Sequence, residues 1–556
     1  MSEAAAATTQ VRQSPWAPLR HTVFRALFIA QLASNIGTLM QSVGSAWLMG
    51  DLGASSFLIA LVPTASMLPV LLVGIPGGAL ADIFDRRRLL IGGQLWMMAC
   101  AAALAAMTFA HVVTPTSLLA LTFGLGAGSA LTFPAFQAIQ PDLVPQNEFR
   151  QAFALGSLTF NVGRAVGPAI GGLVVAIGGP GWVFLINAVS FLAIVGVLVW
   201  WRRPKTETQV PAETFSGAMR AGLRYAAHSP NLRGVLTRTA LFCLPAAALQ
   251  ALLPIVARGR LGLSSGGYGL LLGCFGVGAA AAAVIRPRLD HRFNHDQLVY
   301  QSSLALAATL VVEGTSRIPW LTGLAMLLGG LAWATALTST GVASFAVLPE
   351  WVRARGMGLY MLVLSGAVAL GSAAWGAFAN VNLTSAHLAA ATAMVLSIAS
   401  GLRWRLGAAH GLDLSLVPTD DPTVIIVPHP TDGPVLVTVM YEVPGDDVDA
   451  FTEAMRLVER HRRRTGAFRW GLYRDLATPH RFIETFTVES WGEHLRQHRR
   501  TTVNAEDRFL DPVRRYLGSS VVVAHYLSAY GPGGNTQTGH ATAEAFEQDQ
   551  RLTGEP

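Results

Sequence analysis

Charge is what this chain has least of. Only 13% of its 556 residues are charged and 52% are apolar, where an average soluble domain carries about 25% charge. So little charge cannot cover a soluble surface of this length, which excludes an ordinary soluble protein. Lysine is nearly absent: Lys205 stands alone, and arginine carries the net charge of +7. Three cysteines occur, Cys100, Cys243 and Cys274. All fall in apolar runs without metal-ligand or disulfide spacing and read as small packing residues. No Walker A sequence is present, which argues against a built-in ATP motor. No acidic residue stands in the middle of an apolar run. Asp51 and Glu313 fall at one set of ends, and Asp82, Asp142, Asp290 and Glu350 at the other. No cofactor or metal is expected. No nucleic-acid partner is expected either, because the cations sit beside the apolar runs.

What fills the chain instead is a succession of apolar runs, and a bilayer crossing takes about 20 such residues. The expected spans are 24–49, 55–79, 89–110, 116–139, 151–178, 182–201, 234–257, 268–285, 297–312, 320–348, 356–380 and 386–404. The lipid bilayer is therefore the first expected partner. Arginines alternate between loops. Arg86, Arg87 and Arg88 follow the second span, six cations between Arg202 and Arg233 follow the sixth, and Arg353 and Arg355 follow the tenth. Arg258, Arg260 and Arg317 are exceptions. The positive-inside rule then places both termini in the cytoplasm of a bacterial cell, at its plasma membrane. Residues before Arg20 lack an apolar core, so no cleavable signal is expected.

The apolar region repeats itself at an offset of 208 residues: Arg25 falls on Arg233, Asp82 on Asp290, Pro141 and Asp142 on Pro349 and Glu350, and Gly163 on Gly371. Paired six-helix halves around a midplane site are a secondary-transporter plan. Polar residues inside spans, namely Asn35, Gln41, Asn161, Arg164, Asn187 and Gln250, are candidates to line a substrate cavity or to bridge helices. Arg164 lies well inside the fifth span, where a charge is costly and should face a cavity or a partner.

Two motifs carry a family resemblance. Gly78-Ala79-Leu80-Ala81-Asp82-Ile83-Phe84-Asp85-Arg86-Arg87-Arg88 resembles the G-x-L-x-D-R-x-G-R-R/K loop of the major facilitator superfamily, with Ile83 and Asp85 departing from the pattern. The loop geometry would ask for positive φ at Asp85. The resemblance implies that Asp82 latches the two halves together, with Arg86, Arg87 and Arg88, the companion Asp142, and the second-half counterparts Asp290 and Glu350. Gly163-Arg164-Ala165-Val166-Gly167-Pro168-Ala169-Ile170-Gly171-Gly172 resembles the G-x-x-x-G-P-x-x-G-G motif of exporting branches. Glycines four apart let helices approach closely.

Beyond Leu406 a Pro/Asp/Thr-rich linker, 411–434, leads into alternating apolar residues over 435–443, a helical pattern over 446–464, strands over 468–473 and 481–488, helices over 490–500 and 505–517, and a last strand over 519–527. That order is βαββαβ, a ferredoxin-like plan. Its open sheet face is expected to carry Trp470, Tyr473 and Phe486. His494 and His498 share a helical face, without a third metal ligand. The runs around Trp470, Glu484 and Trp491 resemble the C-terminal extension of the transmembrane secretion effector branch, which is similar to enterobactin exporters. The tail is similar in plan to antibiotic-biosynthesis monooxygenases, and that resemblance implies self-association through the tail.

The whole reading is an all-α membrane protein of twelve transmembrane helices in two six-helix repeats, followed by a small ferredoxin-like α+β domain. Its expected parts are 1–23 (tail), 24–201 (first half), 202–233 (loop, with an amphipathic helix on the membrane face), 234–410 (second half), 411–434 (linker), 435–530 (soluble domain) and 531–556 (disordered). The expected function is secondary active export of a small molecule, a siderophore, drug or other metabolite, by alternating access with proton coupling. A membrane-anchored monooxygenase and a non-transporting scaffold are the alternatives.

Overall fold

The computed structural model describes residues 14–83, 85–201, 215–406, 424, 428–500, 513, 516 and 523–529. Six helices form the first half: α1 (Thr22–Asp51), α2 (Ser56–Ile83), α3 (Arg86–Phe109), α4 (Pro115–Ile139), α5 (Phe149–Gly178) and α6 (Pro180–Trp200). A shorter helix, α7 (Phe215–His228), precedes α8 (Pro230–Ile255), α9 (Ser265–Asp290), α10 (His295–Thr315), α11 (Pro319–Ala346), α12 (Glu350–Ala379), α13 (Leu383–Ser397) and the single turn α14 (Ser400–Arg403). Among the described residues, ten helices are long and apolar enough to cross a membrane. α10, which carries Asp296 and Glu313, falls outside that ten, as does α2, whose described apolar stretch is Ser56–Leu72.

Local chemistry sets the helix ends. The Asp85 side chain accepts the Arg88 backbone N–H at 2.9 Å and caps α3. Its φ is −58°, so the expected positive φ does not hold: a capping carboxylate does the work of the glycine turn. Thr114 with Ser117 and Asn294 with Gln297 form reciprocal capping boxes at α4 and α10. Gly179, at φ +86°, turns the chain between α5 and Pro180, the first residue of α6.

The helices gather into two compact units. The first comprises 1–211, 234–343 and 360–407. Within it α1 packs on α5 and α6, α3 on α4 and α6, α2 on α4, α5 on α9, and α10 on α13. The repeat shows in the contacts. Gly163 of α5 lies against Asn35 of α1, and Gly371 of α12 lies against Leu244 of α8, close to the position 208 residues on. We call the ends at 52–55, 110–114, 179, 261–264, 316–318 and 380–382 the distal rim, and the opposite ends the terminal rim.

The second unit comprises 212–233, 344–359 and the tail. The tail strands are β1 (Val435–Glu442), β2 (Arg469–Arg474), β3 (Arg481–Val488) and β4 (Val523–Leu527), all paired antiparallel in the order β2-β3-β1-β4. Helices α15 (Val448–Thr465) and α16 (Trp491–Arg500) complete it. The expected helix over 505–517 lies outside the described residues apart from Val513 and Tyr516. Val435, Val437, Val439 and Tyr441 of β1 point into the core with Phe451, Met455 and Val458 of α15. Phe451 is its centre, with Tyr441, Phe482 and Tyr516 rings 5.3 to 5.4 Å away.

The sheet's open face differs from expectation. Trp470 and Tyr473 are three residues apart on one strand, so strand alternation sends them to opposite faces. Tyr473 is exposed, while Phe486 and Trp470 join the covered core. Leu436, Met440 and Ile483 accompany Tyr473 and Tyr526 on the open side. The loop helix α7 packs along α15. Tyr225 is buried there, with its ring 5.7 Å from Trp351, its hydroxyl donating to Val347 O at 3.2 Å, and Arg464 over its face at 5.5 Å. Arg224 reaches Glu493 at 3.3 Å. One side of α7 is thus packed against the tail helix α15, while Leu223 is exposed.

Candidate functional site

The exporter-type glycines do what their spacing implies. A Cβ at Gly167 would meet Leu39 Cβ at 2.9 Å, and one at Gly171 would meet Met40 Cα at 2.7 Å, so with Gly163 they seat α5 on α1. Gly172 instead faces α9, where its Cβ would lie 2.6 Å from Ser265 O and 2.8 Å from Gly269 Cα. A matching stripe on α9 went unread in the sequence. A Cβ on Gly269 would meet Pro168 O at 2.5 Å, and one on Gly276 would meet Arg164 O at 2.1 Å. Its spacing of four and three, Gly269, Gly273 and Gly276, was the available signal. The two halves therefore meet backbone to backbone along α5 and α9.

Other bridges between the halves lie toward the distal rim. Thr64 of α2 donates to Ala369 O of α12 at 2.8 Å, and the Phe57 N–H donates to Asn380 at 3.0 Å. Arg258 pairs with Asp51 and stacks over Trp47 at 4.3 Å. Arg258 and Arg260 sit on a π-helical turn, Val256–Arg260, that extends α8. These are two of the arginines that broke the charge rule, and their partners explain them. The cleft left at this rim, lined by Trp47, Ile59, Pro254 and Arg258, holds about 200 Å³. Ligand sites commonly hold about 300–1,000 Å³, so this cleft is small for one.

The intramembrane polar residues divide. Gln41 and Asn187 are buried and hydrogen-bonded to each other at 2.5 Å, with Thr38 and Ser190 also on the Asn187 amide oxygen. They bridge α1 and α6. Asn35 accepts from Gln31 at 3.1 Å and donates to Thr159 at 3.0 Å. Asn161 donates to Ser157 O on its own helix at 3.0 Å. Arg164 lies at the middle of α5 with its guanidinium 4.8 Å from the Phe160 ring. Gln250 is exposed, and so is Ser42, 208 residues earlier.

Arg87 donates to Leu198 O at 2.6 Å and Val199 O at 2.9 Å, holding the carbonyl end of α6. Arg86 and Arg88 open α3, and the Arg88 N–H goes to Asp85. Asp142 closes an exposed 3-10 turn, Gln140–Asp142. Asp290 pairs within its own helix with Arg286 at 2.7 Å, and Arg286 continues to Thr335 O and Ser339 on α11 at 3.0 Å. The side chains of Asp82 and Glu350 lie outside the described residues.

Three charged clusters in the second half escaped sequence reading, two of them because their members stand far apart in the chain. Arg238 of α8 is buried against Asp296 of α10, and Asp296 also takes the Leu406 N–H at 3.1 Å. Glu313 of α10 and His387 of α13 are wholly buried 3.7 Å apart. Arg286 is the third.

In the tail, Glu484 is buried beneath Tyr441 (2.9 Å), Trp470 (2.9 Å) and Arg462 (3.0 Å). Burial alone would raise its carboxyl. The charge of Arg462 and the three donors outweigh that and hold it below the usual carboxylate range. The site is fully occupied by protein donors. His494 is buried between Trp491 and His525, its ring 4.8 Å from the latter. His498's side chain lies outside the described residues. Among the described residues no three His, Cys, Asp or Glu side chains gather in a metal-holding group.

Comparison with known proteins fits this geometry. Residues 13–532 match the family model described as transmembrane secretion effector. An enterobactin exporter of Shigella boydii serotype 4 (strain Sb227) is 27% identical over 323 residues, 57% of this chain and 76% of that one. One from Escherichia coli O1:K1 / APEC is 26% identical over the same lengths. Among solved structures, a bacterial homologue of the human lysosomal transporter Spinster aligns at TM-score 0.53 and 16% identity, covering 69% of this chain and 95% of that one. The nucleoside transporter NupG aligns at 0.55 and 13%, covering 69% and 98%. At such identities the structures speak for the fold. The match over nearly the whole chain speaks for the family: this protein belongs to the transmembrane secretion effector family, and is a membrane transporter of major facilitator type rather than an enzyme.

Proposed function

We propose that the chain exports a small, largely apolar metabolite of the siderophore class from the bacterial cytoplasm, in exchange for protons. The observation that carries this is the α1–α5–α9 glycine seam, which closes the halves against each other, with the Thr64, Phe57 and Arg258 bridges crossing toward the distal rim. Such a seam is a surface on which two rigid halves can rock. On this reading α1 to α6 and α8 to α13 are twelve spans and both termini are cytoplasmic, which the arginine distribution supports. The distal rim is then the outer one. The candidate cavity residues Asn35, Asn161, Arg164 and Gln250 would meet cargo, while Gln41 and Asn187 hold α1 to α6. Asp82, at the start of the arginine-rich loop, serves as the cytoplasmic latch. The tail takes a ferredoxin-like plan, supported by its strand order, and self-associates through the open face of Leu436, Met440, Tyr473 and Tyr526.

Everted membrane vesicles test the proposal. They should accumulate a catecholate siderophore when a proton gradient is imposed, and much less without it. Equal accumulation in vesicles lacking the protein would sink the cargo class. Asp82→Asn should slow uptake at an unchanged membrane level.

A further inference from the structure

Among the described residues, neither oxygen of the buried Glu313 carboxylate has a hydrogen-bond partner, and neither does His387 Nε2. A charge in such a place is expensive unless it is compensated. The other side of the imidazole shows how it is compensated. His387 Nδ1 lies 2.8 Å from Leu383 O. A carbonyl only accepts, so Nδ1 carries a hydrogen. In a neutral ring Nε2 is then an acceptor, and it faces a carboxylate oxygen at 3.7 Å. Two acceptors do not face each other in a dry site without a proton. The pair is neutral with one proton and carries −1 without it.

We propose that Glu313 and His387 form a one-proton site whose occupancy sets the closure of the distal rim. This rests on the exporter reading above and names a residue pair for its proton coupling. The helices are drawn together tightly at the pair: a Cβ on Gly314 would meet His387 Cβ at 2.4 Å. Two connections lead from the pair to the rim. Arg260 donates to Thr384, one turn before His387, at 2.5 Å. Arg260 shares its π turn with Arg258, which holds Asp51 across the halves. Tyr268 of α9 stacks on Trp47 at 6.0 Å, and Trp47 lies under Arg258. Arg260 and Tyr268 are the other titratable groups acting on the pair. π turns inside helices recur at functional sites, and this one joins a proton site to a gate. Loss of the proton leaves a bare charge between α10 and α13. That charge favours hydration, and hydration requires the rim to open.

The test needs no cargo. Spin labels at Ser55→Cys and Val381→Cys, with Cys100, Cys243 and Cys274 replaced by alanine, report the rim distance in the full chain in liposomes. The closed population should fall several-fold as pH rises from about 5.5 to 8.5, across the range where a histidine-linked proton is lost. Glu313→Gln should stay closed throughout. Should that variant fold poorly, His387→Gln should move the midpoint by about one pH unit or more. A rim equally pH-sensitive in both variants, or insensitive in the parent chain, overturns the site. Proton-driven uptake into everted vesicles by the same parent chain reports on export separately. Uptake with an insensitive rim would remove this proton site and leave export standing.

Discussion

In the first half, α1 and α6 are held by neutral amides, Gln41 to Asn187 with Thr38 and Ser190 beside them. In the second half charged groups join the helices: Arg238 of α8 meets Asp296 of α10, Arg286 of α9 reaches Thr335 O and Ser339 of α11, and Glu313 of α10 lies beside His387 of α13. Asp290 falls on Asp82, but the other positions do not correspond. Glu313 falls on Ala105 and Asp296 on Arg88 when the halves are overlaid at 208 residues. The glycine contacts do correspond, since Gly163 and Gly371 both take a neighbouring helix at close range. Backbone approach has thus been kept in both halves while the polar chemistry has diverged. An amide bridge keeps one charge state at every physiological pH. An ion pair containing a histidine does not. Apart from His21 and Glu148, 3.1 Å apart at the terminal rim, the first half reads as a fixed frame and the second as the half that responds.

The sharpest way to break that comparison is through the glycines the two halves share. Gly276→Leu should abolish export, because its Cβ alone would meet Arg164 O at 2.1 Å. Gly92 and Gly196 have nothing within 4 Å, so leucine there should leave export within about twofold. Uptake into vesicles at matched protein level separates the two. If all three variants behaved alike, the seam would have no special standing.

The next effect compares the fastenings. Arg238→Ala removes the counter-charge of a mostly buried carboxylate, which keeps the Leu406 N–H, and should destabilise by about 3–5 kcal/mol. Asn187→Ala leaves a neutral amide short of a partner, at about 1–3 kcal/mol. Thermal unfolding in one detergent measures both. Equal costs would erase the distinction between the frame and the responsive half.

The tail offers a pH contrast outside the membrane region. Glu484 is held below its usual range by Arg462 and its donors despite burial, so its contribution is present above the unfolded carboxylate range, about pH 4.3, and is lost as pH falls. Burial also lowers His525. The unfolded chain then binds that proton more readily, and stability falls as pH drops through about 6.5. Both shifts have the same sign, so the tail should unfold more easily in acid. His525→Gln should remove the part of the loss near pH 6 and keep the part near pH 4. Circular dichroism melts of the full chain across this range are the check.

Much of this was legible in sequence, for identifiable reasons. Ten of the expected spans appear as long apolar helices because each carries its apolar signal locally. The glycine motif was legible because both its residues and its spacing are local. What escaped was whatever depends on two distant segments meeting. Glu313 looked like a span-end residue until His387 was placed against it. Asp85 looked like a misfit until its carboxylate was seen capping α3. Trp470 was assigned to the open sheet face because its strand was read as a set of aromatics; counting alternation from Tyr473 would have placed it inside.

The smallest expected effect is also the one that best probes the link between site and gate. Arg258 and Asp51 are partly exposed, 35% and 45% at their side chains. Exposed pairs contribute about 0–1 kcal/mol, so Asp51→Asn should barely change the melting temperature. If the pair were only a surface ornament, the rim would keep its pH response. The π turn argues otherwise, because it fixes Arg258 and Arg260 within one turn of helix, the first on the opposite half and the second on α13 beside His387. Asp51→Asn should therefore leave stability within about 1 kcal/mol while lowering the closed population of the spin-labelled rim at acid pH, where Glu313 and His387 still hold their proton. A rim distance that is unaffected by Asp51→Asn would cut the connection at its last step and leave the buried pair a structural one.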